Sequence, residues 1–192
     1  MRITNFIAAA ALAVTLPFAA HAEPYAIDKS HAHVTFTVGH LGFSTTHGQF
    51  RKFDASVDFD PSSVEATKVS FTIDAASVDT FWEARDQHIR GKDFLDVENH
   101  PEITFVSTGV KPTGAETADI TGDLTIRGVT QPITLQATLN KLGPSPFNPD
   151  KTIAGFTIEG EIDRTAFGVS YAAPAVSAII PIRIDLEMSP TG

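Results

Sequence analysis

Along most of this chain apolar and polar residues alternate with a period of two. Val34, Phe36 and Val38 interleave with Thr35 and Thr37, and Val69, Phe71 and Ile73 with Ser70 and Thr72. Phe156, Ile158 and Ile162 interleave with Thr157, Glu159 and Glu161; Ile180, Ile182, Ile184, Leu186 and Met188 do so with Arg183, Asp185 and Glu187. Such alternation turns one face of a strand to a core and the other to water. It predicts eight strands, near residues 31–39, 49–59, 67–75, 102–108, 117–127, 132–140, 153–163 and 178–188. Asp60-Pro61-Ser62-Ser63, Lys111-Pro112-Thr113-Gly114 and Gly128-Val129-Thr130-Gln131-Pro132 read as turns between them. The links are short, so sequence neighbours should pair antiparallel. Eight antiparallel strands suit a two-sheet sandwich or a closed barrel. Ten residues of strand span about 33 Å, and an eight-stranded barrel is wide enough for one slender ligand. Pro181, inside the last strand, calls for a seam or bulge.

One segment lacks the alternation. In Thr80 to Lys92, Phe81, Arg85, His88 and Ile89 recur at helical spacing. Thr80 with Glu83 three residues on reads as an N-terminal cap, and Gly91 as the end. A short helix is therefore expected between the third and fourth strands.

Residues 1–22, MRITNFIAAAALAVTLPFAAHA, combine a basic Arg2, a short apolar run and a small-x-small site at Ala20-His21-Ala22. That is the pattern of a cleavable export signal cut after Ala22, and the run is shorter than the roughly 20 residues a bilayer-spanning helix needs. With no cysteine after it, a lipid-modified cysteine anchor is not expected. Residues 23–192 then form one domain. The chain carries 14 Lys+Arg against 23 Asp+Glu, a net charge of -9, which argues against binding nucleic acid or anionic membranes through charge. The absence of cysteine removes thiolate metal sites, disulfides and cysteine nucleophiles.

Catalytic patterns are missing. There is no G-x-S-x-G or S-x-x-K pattern and no Gly-rich phosphate loop. The carboxylates, among them Asp54, Asp58, Asp60, Asp93, Asp96 and Glu98, fall at polar-parity or turn positions. His31, His33, His40 and His47 lie close in sequence and offer an alternative, a histidine metal-binding or enzymatic role. Their parity splits them between two faces of a strand. The chain is rich in phenylalanine, with 14 residues, of which Phe6 and Phe18 belong to the leader. Phe36, Phe71, Phe105 and Phe156 fall on apolar strand faces, which suits a packed core and an apolar cavity equally. Arg85, His88, Arg90, Arg127 and Arg164 are the polar candidates for a cavity mouth, each with nearby acids as alternative partners.

Several blocks in order make the chain similar to the YceI-like family of periplasmic, lipocalin-like, polyisoprenoid-binding proteins. They are Tyr25-Ala26-Ile27-Asp28 with His31, Phe36, Val38 and His40; Gly48-Gln49-Phe50; Arg85-Asp86-Gln87-His88-Ile89 with Asp93-Phe94-Leu95-Asp96; and Pro101-Glu102-Ile103-Thr104-Phe105. Leu124-Thr125-Ile126-Arg127-Gly128-Val129-Thr130-Gln131-Pro132-Ile133-Thr134-Leu135 and Arg164-Thr165-Ala166-Phe167-Gly168 complete the set. Ala32, Ile89 and Leu95 stand where Ser, Leu and Phe are usual in that family.

The resemblance implies an all-β fold, an extended eight-stranded antiparallel lipocalin-like barrel with one short helix beside its opening. It implies a polyisoprenoid, quinone-type or fatty-acid-like lipid inside, for transport, storage or sequestration in the periplasm. It implies a non-enzymatic protein without cofactor or metal, transient membrane contact and homodimers. The residues expected to touch the ligand are Phe36, Val38, His40, Phe43 and Phe50; Phe71, Phe105, Leu124 and Phe156 on the inward faces; Phe81, Trp82, Arg85, His88, Ile89 and Phe94 around the helix; and Arg127 and Phe167.

Overall fold

The alternating stretches form strands, but three of them change parity part-way, and the wall breaks there. The computed structural model describes residues 23–191, so the leader expected at residues 1–22 lies outside the described residues. The strands are β1 (Glu23–Ile27), β2 (His33–His40), β3 (Ser44–Phe50), β4 (Phe53–Phe59), β5 (Lys68–Asp74), β6 (Val78–Asp79), β7 (Glu102–Pro112), β8 (Thr117–Ile126), β9 (Val129–Pro144), β10 (Thr152–Asp163) and β11 (Ile179–Pro190). One α-helix, α1 (Glu83–Arg90), lies between β6 and β7. All pairings are antiparallel, and the ring β1-β4-β5-β7-β8-β9-β10-β11 closes where β11 returns to β1. This is a closed eight-stranded barrel.

Eleven strands fill eight wall positions because three positions are interrupted. One edge of β11 pairs with β2 through residues 182–185 and with β1 through residues 188–190, so β1 and β2 share a position. β3 and β4 share the next, since β3 pairs with β2 and β4 with β1. β5 and β6 share the third, against β4 and β3. The strand expected at 49–59 is thus broken at Arg51 and Lys52, residues 23–27 form a strand not anticipated, and His31 belongs to a 3-10 turn. The cause is visible in the pattern. Thr46 and Phe50 face inward at even positions, Val57 and Phe59 at odd ones, and an unbroken strand cannot reverse parity. Parity reverses likewise between Tyr25 and Val34 and between Ile73 and Val78.

The breaks lie side by side and are stitched together. Arg51 N donates to the Ser77 carbonyl (3.1 Å), Lys52 N to Ser77 Oγ (3.0 Å) and Asp74 N to the Lys52 carbonyl (3.0 Å). The Asp28 carboxylate caps the first break by accepting from Ser30 N and Oγ (3.0 and 2.6 Å). These bonds pair backbone groups that the interruptions leave without ladder partners.

The other half of the wall is regular. β8 and β9 join through the two-residue turn Arg127-Gly128, whose φ values of 51 and 73° match the twist of adjoining strands. Pro132, expected in that turn, lies within β9 opposite Asp123. β11 pairs with β2 only from Ile182 onward, so Pro181 sits just outside that ladder. The helix is shorter than the expected 80–92 and is not capped by Thr80; its N-cap is Trp82. Thr80 is instead buried, and its N–H and hydroxyl donate to Oδ1 of Asp86, itself 3% exposed. Gly91 ends the helix, its N–H donating to the His88 carbonyl (3.0 Å).

Candidate binding cavity

The inward faces of the ring enclose a cavity of about 660 Å³. Its volume is that of a small-molecule site, so the interior is open rather than solidly packed. Val34, Phe36, Ile182 and Ile184 line one side, Phe71, Phe105 and Leu124 the other. Phe36 and Phe50 meet at 5.6 Å between ring centres, and Phe59 meets Tyr25 and Phe156 edge-on, each at 5.4 Å. Among the described residues no carboxylate, lysine or serine lines the space; its ionisable side chains besides Tyr171 are His40, Arg85, His88 and Arg164.

Those four groups gather at one end. β2 delivers His40 and the turn after it Leu41; α1 delivers Arg85, His88 and Ile89; the segments after α1 and β10 deliver Phe94, Arg164 and Tyr171. The rings of His88, Phe94 and Tyr171 form a closed trio, with centres 5.0, 5.2 and 5.3 Å apart. His88 Nε2 is 3.0 Å from Asp93 Oδ2. Arg85 donates through Nε to Thr80 Oγ1 and through Nη2 to the Thr80 carbonyl, which ties the helix to the buried Thr80–Asp86 pair. Arg164 makes no ion pair with its neighbour Asp163. Arg164 is 8% exposed, and its guanidinium donates to the carbonyls of Val169 (2.6 Å), Val176 (2.8 Å) and Ser177 (2.9 Å) and lies 5.9 Å from the centre of the Phe94 ring. Burial lowers its pKa from the usual arginine value, with Asp163 acting in the opposite direction. Arg164 thus fastens the segment that forms one lip of the opening.

Of the residues expected to touch a ligand, Phe36, Val38, His40, Phe50, Phe71, Arg85, His88, Ile89, Phe94, Phe105, Leu124 and Phe156 line the cavity. Five do not. Phe43, Phe81 and Trp82 project from turns into solvent. Arg127 occupies the β8–β9 turn and reaches the Gly168 carbonyl (3.2 Å). Phe167, 2% exposed, is packed in the buried apolar cluster from the turn after β10. Tyr171 and Leu41 line the cavity without having been expected to, because their irregular segments carry no periodicity.

The four histidines do not form one site. His33 and His47 are exposed and lie outside the cavity lining, whereas His40 is at its mouth. His31 hydrogen-bonds Asp28 (3.0 Å), which raises the imidazole pKa, while Ser30 and His31 hold the Asp28 carboxyl well below the usual carboxylate range. Asp28, His31 and Glu187 bring three ligand-type atoms within 4.8 Å, but the Asp28 oxygens already accept from Ser30 and His31.

The YceI-like domain model matches residues 25–188, from within β1 to near the end of β11. The chain belongs to the YceI-like family. Its curated relatives include a UPF0312 protein of Ectopseudomonas mendocina, 48% identical over 170 residues (88% of each chain). Another is a UPF0312 protein of Pseudomonas savastanoi pv. phaseolicola, 42% identical over 187 residues (95% of this chain, 94% of the relative). The YceI-like barrel recurs in the crystal structure of Burkholderia cenocepacia BcnA, at 28% identity and a TM-score of 0.76, covering 84% of this chain and 98% of the other. The Campylobacter jejuni YceI protein aligns at 32% identity and a TM-score of 0.73 over 80% and 90%. A polyisoprenoid binding domain from Saccharophagus degradans shares the fold at 12% identity and a TM-score of 0.65 over 86% and 98%.

Proposed function

We propose that this protein holds one long isoprenoid or related amphiphilic lipid, of quinone or fatty-acid type, inside its barrel and carries, stores or sequesters it in the periplasm. The observation that carries the reading is the apolar cavity inside the barrel, with its arginine and histidine side chains gathered at one end. An extended apolar tail would lie along the phenylalanine-lined walls, with its polar head at the His40, Arg85 and His88 end. Each buried methylene contributes about 0.8 kcal/mol, so ten give about 8 kcal/mol gross, offset by the ordering of ligand and side chains. Affinity would come from the tail and orientation from the head. The Saccharophagus domain, described as polyisoprenoid binding, is built on the same barrel, although at its identity the likeness speaks for the fold alone. The export pattern of residues 1–22 supports a periplasmic location.

The test is solvent extraction of protein purified from its native host, followed by mass spectrometry. A stoichiometric apolar amphiphile is expected. Stoichiometric zinc or copper in place of lipid would overturn the reading.

A further inference from the structure

Large apolar side chains stand in water around the open end of the cavity. Phe43 is 89% exposed, Phe81 70% and Trp82 65%, with Leu41 and Tyr171 about half exposed. They come from three separate turns, and each turn also supplies cavity lining: His40 and Leu41 beside Phe43, Thr80 and Arg85 beside Phe81 and Trp82, and Tyr171 with Ala172. Pairing of β3 with β6 sets the Phe81-Trp82 turn next to the β2–β3 hairpin. Leu41 N donates to the Ala175 carbonyl (2.8 Å) and ties that hairpin to the third turn.

The backbone is unusual at these points. Leu41, Phe81 and Ala172 adopt φ values of 53, 65 and 55°. Left-handed backbone is disfavoured for residues with a Cβ, and turns facing water commonly place Gly or Asn there. The rim therefore keeps apolar side chains exposed at conformational and solvation cost. The pre-helix turn is also pinned: Phe81 N donates to Asp79 Oδ1 (2.9 Å), and Asp79 Oδ2 accepts from Arg51 and Gln49.

We infer that this rim seats the mouth of the barrel on a lipid bilayer, with Phe43, Phe81 and Trp82 embedded in its interfacial layer. The inference deepens the lipid-binding reading and rests on it for the purpose of the contact. A bilayer fits the rim better than a protein partner does. The side chains are tips on three turns around an opening rather than one flat face, and a fluid apolar layer accepts such tips individually. Trp and Tyr favour the membrane–water boundary. The apolar cavity opens among them, so a tail moving from acyl chains into the barrel need not cross water. With a net charge of -9 the chain gains nothing from anionic lipid, so the contact rests on apolar insertion and is insensitive to salt.

Trp82 is the only tryptophan in the chain and reports directly. The purified protein is titrated with phosphatidylcholine vesicles, with and without brominated acyl chains, at low and high salt. Lipid uptake from detergent micelles is measured in parallel. The inference predicts a blue shift of Trp82 emission and quenching by bromine at both salt levels. Phe43→Ser and Phe81→Asn, the latter suited to positive φ, should each weaken vesicle binding by on the order of tenfold while sparing uptake from micelles. Phe147→Ser serves as the control, since Phe147 is 98% exposed at the opposite end of the barrel, and should change nothing. Unchanged emission with vesicles, an equal effect of Phe147→Ser, or a blue shift that follows protein concentration without vesicles would overturn the rim assignment. Uptake without vesicle binding overturns the rim alone. Vesicle binding without uptake upholds the rim and removes the cavity's lipid.

Discussion

The ring of Phe36 lies across Gly48 on the neighbouring strand, so close that a Cβ at position 48 would stand 2.3 Å from the ring's Cζ. The missing side chain lets the ring fold against the wall instead of projecting into the cavity. In Gly48→Ala the ring must swing inward, where there is space. Stability should fall by about 1 kcal/mol, while capacity for a long tail should fall more sharply. Thermal unfolding and lipid uptake, measured on one preparation, check both. Gly122 offers the contrast, because a Cβ there meets Phe105 and also the Val106 carbonyl oxygen at 2.5 Å. That backbone group cannot swing aside, and Gly122→Ala should cost about 3 kcal/mol.

Filling the cavity should separate binding from stability. Ile182 pairs with Phe36 across β11 and β2 and lines the cavity. Ile182→Phe adds volume where the interior is empty, so stability should change by less than about 1 kcal/mol, below the usual cost of overpacking a filled core. Lipid uptake should drop. Chemical denaturation with uptake assays tests this, and a large loss of stability would indicate a packed interior.

The buried Thr80–Asp86 pair should govern how firmly α1 holds to the barrel. Asp86→Ala leaves the Thr80 N–H and hydroxyl without their acceptor, and Arg85 loses a fixed anchor. A loss of about 2–3 kcal/mol is expected, since an unpaired buried donor adds to the lost charged hydrogen bonds. Hydrogen exchange should show the largest loss of protection in α1.

Acid should release the turn that carries Phe81 and Trp82. The Phe81 N–H, then Gln49 and Arg51, lower the Asp79 pKa from the usual 3.8. A carboxylate with a depressed folded pKa contributes stability above its unfolded value and loses it as pH falls through the folded one. Trp82 emission should therefore stay constant from neutral pH down to about the ordinary carboxylate range and change below it. Asp79→Asn should show the altered emission at neutral pH as well. An acid response identical in both proteins would contradict this role.

Much of the barrel was legible because period-two alternation survives wherever one face is wet, as in β10 and β11. The three breaks were written there too, as parity reversals between Phe50 and Val57, Ile73 and Val78, and Tyr25 and Val34, but only to a reader who follows parity from one stretch to the next. Thr80 looked like a helix cap because Ser, Thr and Asp at such positions usually serve the helix that follows. Here Asp86, six residues on and inside the helix, holds Thr80 instead, a use that the capping pattern does not encode. Tyr171 and the clamp made by Arg164 lie in or against an irregular segment, where side-chain direction follows from tertiary hydrogen bonds. Phe43, Phe81 and Trp82 were expected to touch the ligand on the strength of the family resemblance. The positive φ of Phe81 and the hairpin tip beside Phe43 turn them out.

Native mass spectrometry of the delipidated protein, offered a long-chain polyisoprenoid in detergent, tests the central claim most directly. The account predicts a mass increase of one ligand per barrel for the native chain, and a markedly smaller bound fraction for Ile182→Phe at equal stability. A native chain that stays at its bare mass across the titration, while remaining folded, would contradict it.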